Sequence, residues 1–170
     1  MQGSGYYFLS RPRRFGKSLL ISTLSYLFEG KKELFNGLWI EDKIEWKQHP
    51  IIHLSFAVMD YKNFELDKEI VKSLKENAQK YAIDLEGLAP KEAFRKLIIE
   101  LSNIEKVVIL IDEYDKPIID YLEPDKIPTA LQHRDILKNF YGILKDADKY
   151  IRFLFITGFP NSVEFLFFRT

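Results

Sequence analysis

The chain has 170 residues, of which 46% are hydrophobic and 15% aromatic, enough apolar material for one buried core and too much for a disordered chain. Lys plus Arg and Asp plus Glu both number 25, so no global charge draws the protein toward nucleic acid or a membrane surface. Cysteine is absent, which excludes disulfides, thiolate metal sites and a cysteine nucleophile. No apolar run reaches the ~20 residues of a membrane span, and the N-terminus lacks the apolar core of a signal peptide. A soluble, cytoplasmic protein without a membrane partner is the expectation.

Residues 1–5 read as a flexible start, and the apolar run at 6–9 predicts a first strand. It leads into Ser10-Arg11-Pro12-Arg13-Arg14-Phe15-Gly16-Lys17-Ser18 and then into 18–28, where Leu19, Leu20, Leu24, Leu27 and Phe28 recur at helical spacing and predict a face packed on a sheet. Glu29-Gly30 ends that helix, and 31–44 reads as a connector or short helix. Residues 50–56 form a second strand, apolar almost throughout, as for a strand covered on both faces. A long charged helix follows over 62–82 with Ile70, Leu74, Ala78 and Tyr81 as its inner stripe, then another over 90–101 with Pro90 in its first turn. Residues 106–113 are a buried strand ending in two acids, Asp112 and Glu113. Lys116-Pro117 starts a turn or helix, 121–129 is a polar loop, 134–147 a helix, and 151–158 a fourth strand that ends in Thr157-Gly158. Strands alternating with helices define an α/β protein with a largely parallel sheet of about four strands.

Ligands of parallel α/β sheets lie beyond the C-terminal strand ends, and three of the four strands carry chemistry there: Gly16-Lys17-Ser18, Asp112-Glu113 and Thr157. Strand, basic turn, Gly-Lys-Ser and helix is the context of a phosphate-binding loop. Such a loop surrounds phosphates with backbone N–H groups and a helix N-terminus. The lysine reaches the outer phosphates, and the Ser hydroxyl ligates Mg²⁺. One element of the usual motif is missing, because Arg11 stands where its first glycine belongs. Asp112 after five apolar residues has the pattern of a Walker B acid that helps hold Mg²⁺. Glu113 is placed to orient or deprotonate a water, and Thr157 to sense the outer phosphate. A Glu directly after that Asp, with a strand inserted between loop and acid strand, points to the ATPases that use a catalytic glutamate.

Each motif alone has a plainer account. Gly-Lys-Ser and Asp112-Glu113 are both compatible with capping of the segments that follow, and Thr157 with a strand-end turn. Arg11, Arg13 and Arg14 suit phosphate charge or a nucleic-acid backbone, or simply a solvated basic turn. Asp115 and Asp120 either extend the acidic cluster or, the plainer account, lie at the surface, and His49, His53 and His133 lack metal-ligand spacing. Phe8, Phe15, Tyr26, Phe28, Phe153 and Phe155 read as core.

The runs from Phe8 to Leu19 and from Ile109 to Pro117 closely resemble the bacterial and archaeal AAA-ATPase-like family, whose members often carry a C-terminal nuclease-like domain of the PD-(D/E)XK type. The resemblance covers most of the chain, from about Tyr7 to Gly158. It implies a P-loop NTPase-type three-layer α/β/α fold, with Arg11 belonging to the family's own loop. It also implies phosphate and Mg²⁺ contacts from Lys17 and Ser18, and Walker B roles for Asp112 and Glu113. Nucleic acid enters as a partner only through the family's nuclease-like domain. Family members usually have chain before the first strand and much more after the fourth, so the expectation is a single truncated domain over 1–170, incomplete at the C-terminus, without a fifth strand or lid. The tail 159–170 departs from the family's usual continuation and is expected to come from a shifted reading frame.

The assembled expectation is a domain that binds ATP and hydrolyses it with Mg²⁺. Its catalytic residues are Glu113 and Lys17. Its nucleotide contacts come from Arg13, Arg14, Phe15, Gly16, Lys17, Ser18, Leu19 and Thr157, and its metal contacts from Ser18 and Asp112. A nucleotide-dependent switch without turnover and a non-functional remnant are the alternatives.

Overall fold

The computed structural model describes residues 5–12 and 14–159; the expectations for residues 1–4, for Arg13 and for the tail from 160 onward lie outside them. Four strands, β1 (Gly5–Ser10), β2 (Ile51–Ser55), β3 (Val107–Asp112) and β4 (Ile151–Gly158), form one parallel sheet in the order β1-β4-β3-β2 among the described residues. The helices are α1 (Lys17–Phe28), α2 (Leu66–Gln79), α3 (Pro90–Ser102), α4 (Lys116–Ile119), α5 (Ile127–Tyr141) and α6 (Ile143–Asp146). The predicted α/β class therefore holds, and the strand that separates β1 from β3 in space is β4.

β3 shows why its sequence is apolar without alternation. Ile109 and Ile111 enter a large core shared with α2, α3, α5 and α6, while Val108 and Leu110 enter a smaller one with Ile21, Phe28, Phe153 and Phe155. A strand covered on both faces has no polar side. The two cores make the molecule three layers deep, with α1 on one face of the sheet and the larger helical layer on the other.

Several details differ from the pattern-based expectation. Only Ile21, Phe28 and the Lys17 side chain are buried on α1, and Leu19 is 73% exposed. The contact stripe runs through Lys17, Ile21, Leu24 and Phe28, one step round the helix from Leu19 and Leu20. β2 lies at the sheet edge, with its His53 side chain exposed. Asn77 on α2 covers that edge: the His53 N–H donates to Asn77 Oδ1, and Asn77 Nδ2 donates to the His53 carbonyl, both at 2.9 Å. A side chain thus satisfies the ladder groups that an edge strand leaves open. The helix expected over 134–147 is two helices joined at Gly142, and the first begins earlier because Pro128 fits its opening turn. Phe15 and Tyr26 are exposed, contrary to their assignment to the core.

The larger core rests on Phe94 of α3, fully buried and stacked on Phe140 of α5 with ring centroids 4.6 Å apart. Phe94→Ala should cost about 3–5 kcal/mol of stability, read as a lower urea midpoint with an unchanged slope.

Candidate functional site

The register of the sheet gathers the site. Leu9 lies beside Thr157, Ser10 beside Gly158, and Ser55 beside Asp112. All four strands therefore end along one edge, and α1 starts from the same edge.

The turn from β1 into α1 bends through two left-handed residues, Arg14 at φ 66° and Gly16 at φ 71°. Gly16 is the N-cap of α1, and no side chain caps the helix. The first-turn N–H groups have no intrahelical acceptor, and they carry the positive end of the helix dipole. Lys17 opens the helix and is only 7% exposed. Its ammonium donates to the carbonyls of Arg11 at 3.0 Å and Pro12 at 3.1 Å. The Arg11 N–H in turn donates to the Gly158 carbonyl at 3.4 Å, tying the loop to the end of β4.

Behind the loop lies a closed set of short hydrogen bonds. Ser18 Oγ donates to Asp112 Oδ2 at 2.6 Å, and Thr157 Oγ1 donates to Asp112 Oδ1 at 2.5 Å. Thr157 Oγ1 also accepts from the Glu113 N–H at 3.1 Å, and its carbonyl accepts from the Tyr114 N–H at 3.1 Å. One threonine thus holds three consecutive residues of the acid turn. Glu113 sits at φ 52°, a left-handed conformation that costs a non-glycine residue roughly 1–2 kcal/mol. Gly158 allows the close fit: a Cβ there would lie 2.3 Å from Tyr114 Cε1, on a ring that is fully buried.

A cavity of about 300 Å³ opens at this edge, lined by Lys17, Glu113, Asp115, Lys116, Ile119, Gly158 and Phe159. A larger one, about 760 Å³, lies against α2 and residues 83–90, away from these groups. Asp115, expected at the surface, is 4% exposed, and its Oδ2 accepts the Phe159 N–H at 2.7 Å. Gly158 and Phe159 lie against it from the end of β4, a contact that no local pattern around Asp115 encodes. Lys116 was likewise not anticipated at the cavity.

The structure brings together Gly16, Lys17, Ser18, Asp112, Glu113 and Thr157. Arg14, Phe15 and Leu19 have exposed side chains. Thr157 is fully buried, and its hydroxyl is engaged by Asp112 and Glu113 rather than facing open space. Arg13 lies outside the described residues. The oxygen donors of Ser18 and Asp112 suit a hard cation such as Mg²⁺. No group of three or more His, Cys, Asp or Glu side chains gathers among the described residues, so a cation at this pair would complete its shell from phosphate oxygens and water, as Mg²⁺ commonly does.

An all-parallel sheet with a Gly-Lys-Ser loop on one strand and an acid pair two strands away is a P-loop-type α/β/α protein. A family model described as Predicted AAA-ATPase matches residues 1–163, and the chain belongs to that family. A protein of Azotobacter chroococcum mcd 1, described as an uncharacterized protein in the vnfD 5' region, is 40% identical over 159 residues. The match covers 90% of this chain and 30% of that protein, so the chain spans less than a third of its relative. No solved structure matches at a significant level. No helix among the described residues is long and apolar enough to cross a membrane.

Thr157→Val removes a donor from Asp112 and an acceptor from the Glu113 N–H. It should destabilise the protein by about 1–3 kcal/mol, and Thr157→Ser should restore most of the loss, both measured by urea unfolding.

Proposed function

We propose that the chain binds ATP with Mg²⁺ at the turn between β1 and α1 and hydrolyses the γ-phosphate bond. The observation that carries this reading is the hydrogen-bonded line from Ser18 through Asp112 to Thr157, which fixes the helix N-terminus against the acid turn. Separate capping roles for the two motifs would not require them to meet.

In this reading the free N–H groups of the first turn of α1 receive phosphate oxygens, and Lys17 exchanges its two loop carbonyls for the outer phosphates. Charge-assisted bonds to phosphate are the stronger set. Ser18 gives its proton to Asp112, which leaves the hydroxyl lone pairs available to a cation. When bound there, Mg²⁺ supplies charge neutralisation to the phosphates. Glu113 orients a water in line with the γ-phosphate and accepts its proton. Thr157 acts as a positioning residue, holding Glu113 in its left-handed conformation through the backbone.

Lys17→Ala should weaken ATP binding by about 100-fold, the loss of more than one charge-assisted bond, measured by calorimetry. Unchanged affinity would refute the site. Glu113→Gln should retain ATP binding while steady-state phosphate release falls by about 10²–10⁴-fold, the usual contribution of a general base. Binding without any turnover in the unaltered chain would leave the nucleotide switch as the function. A thermal transition that ATP and Mg²⁺ do not raise would favour the non-functional remnant.

A further inference from the structure

Among the described residues two cations line the cavity at the strand ends, and only Lys17 belongs to the phosphate-loop motif. The second, Lys116, enters from the start of α4, three residues beyond Glu113, and its side chain is 24% exposed. Its ammonium donates to Asp120 Oδ2 at 2.6 Å. The same oxygen accepts from Tyr61 Oη at 2.9 Å and lies 3.8 Å from Lys62 Nζ.

Burial opposes ionisation of Asp120, but the hydrogen bonds from Lys116 and Tyr61 outweigh it and hold the carboxyl below its ordinary range. Lys116 is not the sole partner of this oxygen: Tyr61 and Lys62 would remain beside Asp120 if Lys116 moved away. A buried carboxylate abandoned by its cation is strongly penalised; one that retains a donor and a second cation is not. Lys116 thus shares Asp120 with other partners, and its flexible four-carbon stem gives it reach.

The charge of the cavity supplies the motive. Glu113 and Asp115 face the same space as Lys17 and Lys116, so a polyphosphate that met Lys17 alone would have two carboxylates against it. Like charges in a partly enclosed site are costly. We propose that Lys116 is a second phosphate-binding cation, released from Asp120 to contact the terminal phosphate of a nucleoside triphosphate, and so distinguishes triphosphate from diphosphate. This rests on the nucleotide reading given above.

The test measures affinities of the purified chain for a non-hydrolysable ATP analogue and for ADP, each with Mg²⁺, by calorimetry. Lys116→Met should weaken the triphosphate analogue about tenfold and leave ADP within about twofold, the signature of one charge-assisted bond to the terminal phosphate. Lys116→Arg, which keeps the charge, should retain the preference. Asp120→Asn breaks the same ion pair without removing the cation, and should also retain it. Equal weakening of both nucleotides by Lys116→Met, no weakening at all, or the same loss from Asp120→Asn would overturn the proposal while Lys17→Ala still weakened binding as expected above. Failure of the unaltered chain to bind either nucleotide, or indifference to Lys17→Ala, would sink the nucleotide reading and this inference together.

Discussion

The carboxylate of Asp112 is the point on which the loop, the acid turn and β4 depend. It stands at the end of β3, is nearly inaccessible to solvent, and takes one hydroxyl donor on each oxygen, from Ser18 of α1 and from Thr157 of β4. A buried carboxylate needs such donors, and each donor here belongs to a different element. Satisfying the charge therefore fixes where α1 begins relative to the sheet and where β4 ends relative to β3. The dipole of the first turn of α1 and the acid pair are positioned before any ligand arrives, which is the condition under which fixed dipoles contribute most to binding or catalysis.

The same constraint accounts for the backbone of Glu113. A left-handed glutamate is unfavourable in isolation and persists only where its surroundings over-determine it. Thr157 does so from both sides of the peptide chain, its hydroxyl accepting the Glu113 N–H and its carbonyl the next. Arg14 repeats the conformation in the loop, at the other end of the site. Ala82 is also left-handed and lies far along the chain after α2, so strain alone does not mark function. What distinguishes Glu113 is that strained backbone, a polar clamp and a cavity coincide at one residue.

How much was legible in the sequence follows from which interactions are local. The doubly covered β3 was, because burial on both faces writes itself as an uninterrupted apolar run. So were the limits of β4 and the start of α3 at Pro90, since propensity and sterics act within a few residues. The contact face of α1 was misjudged: periodicity gives a stripe, but five apolar residues out of phase with one another define two overlapping stripes, and the sheet selects the one through Ile21. The edge position of β2 was invisible for a related reason. Its apolar residues resemble those of a central strand, and the polar group that finishes its edge, Asn77, lies on α2. The site motifs were readable, yet the burial of Asp115 and the approach of Lys116 to the cavity depend on contacts distant in sequence, with Gly158 and Phe159 at the end of β4.

The irregularity in the Gly-Lys-Ser loop also has a structural role. Where the usual motif has glycine this chain has Arg11, followed by Pro12, and these two residues supply the carbonyls that hold Lys17. Proline has no N–H to satisfy and restrains the residue before it to extended backbone, so the segment presents acceptors without needing a partner for that donor. A glycine in place of Arg11 would leave the same carbonyl on a looser chain, with a larger entropy loss on ordering. The lysine is therefore kept in a defined place while no phosphate is bound, and a ligand must exceed two ion–dipole bonds to take it. A neutral ligand cannot, and a single weakly charged group gains little from the exchange. On the nucleotide reading proposed above, a polyphosphate would replace both carbonyls with charged oxygens and add the amides of the first turn of α1, so Arg11 and Pro12 would set the threshold for what can displace the lysine.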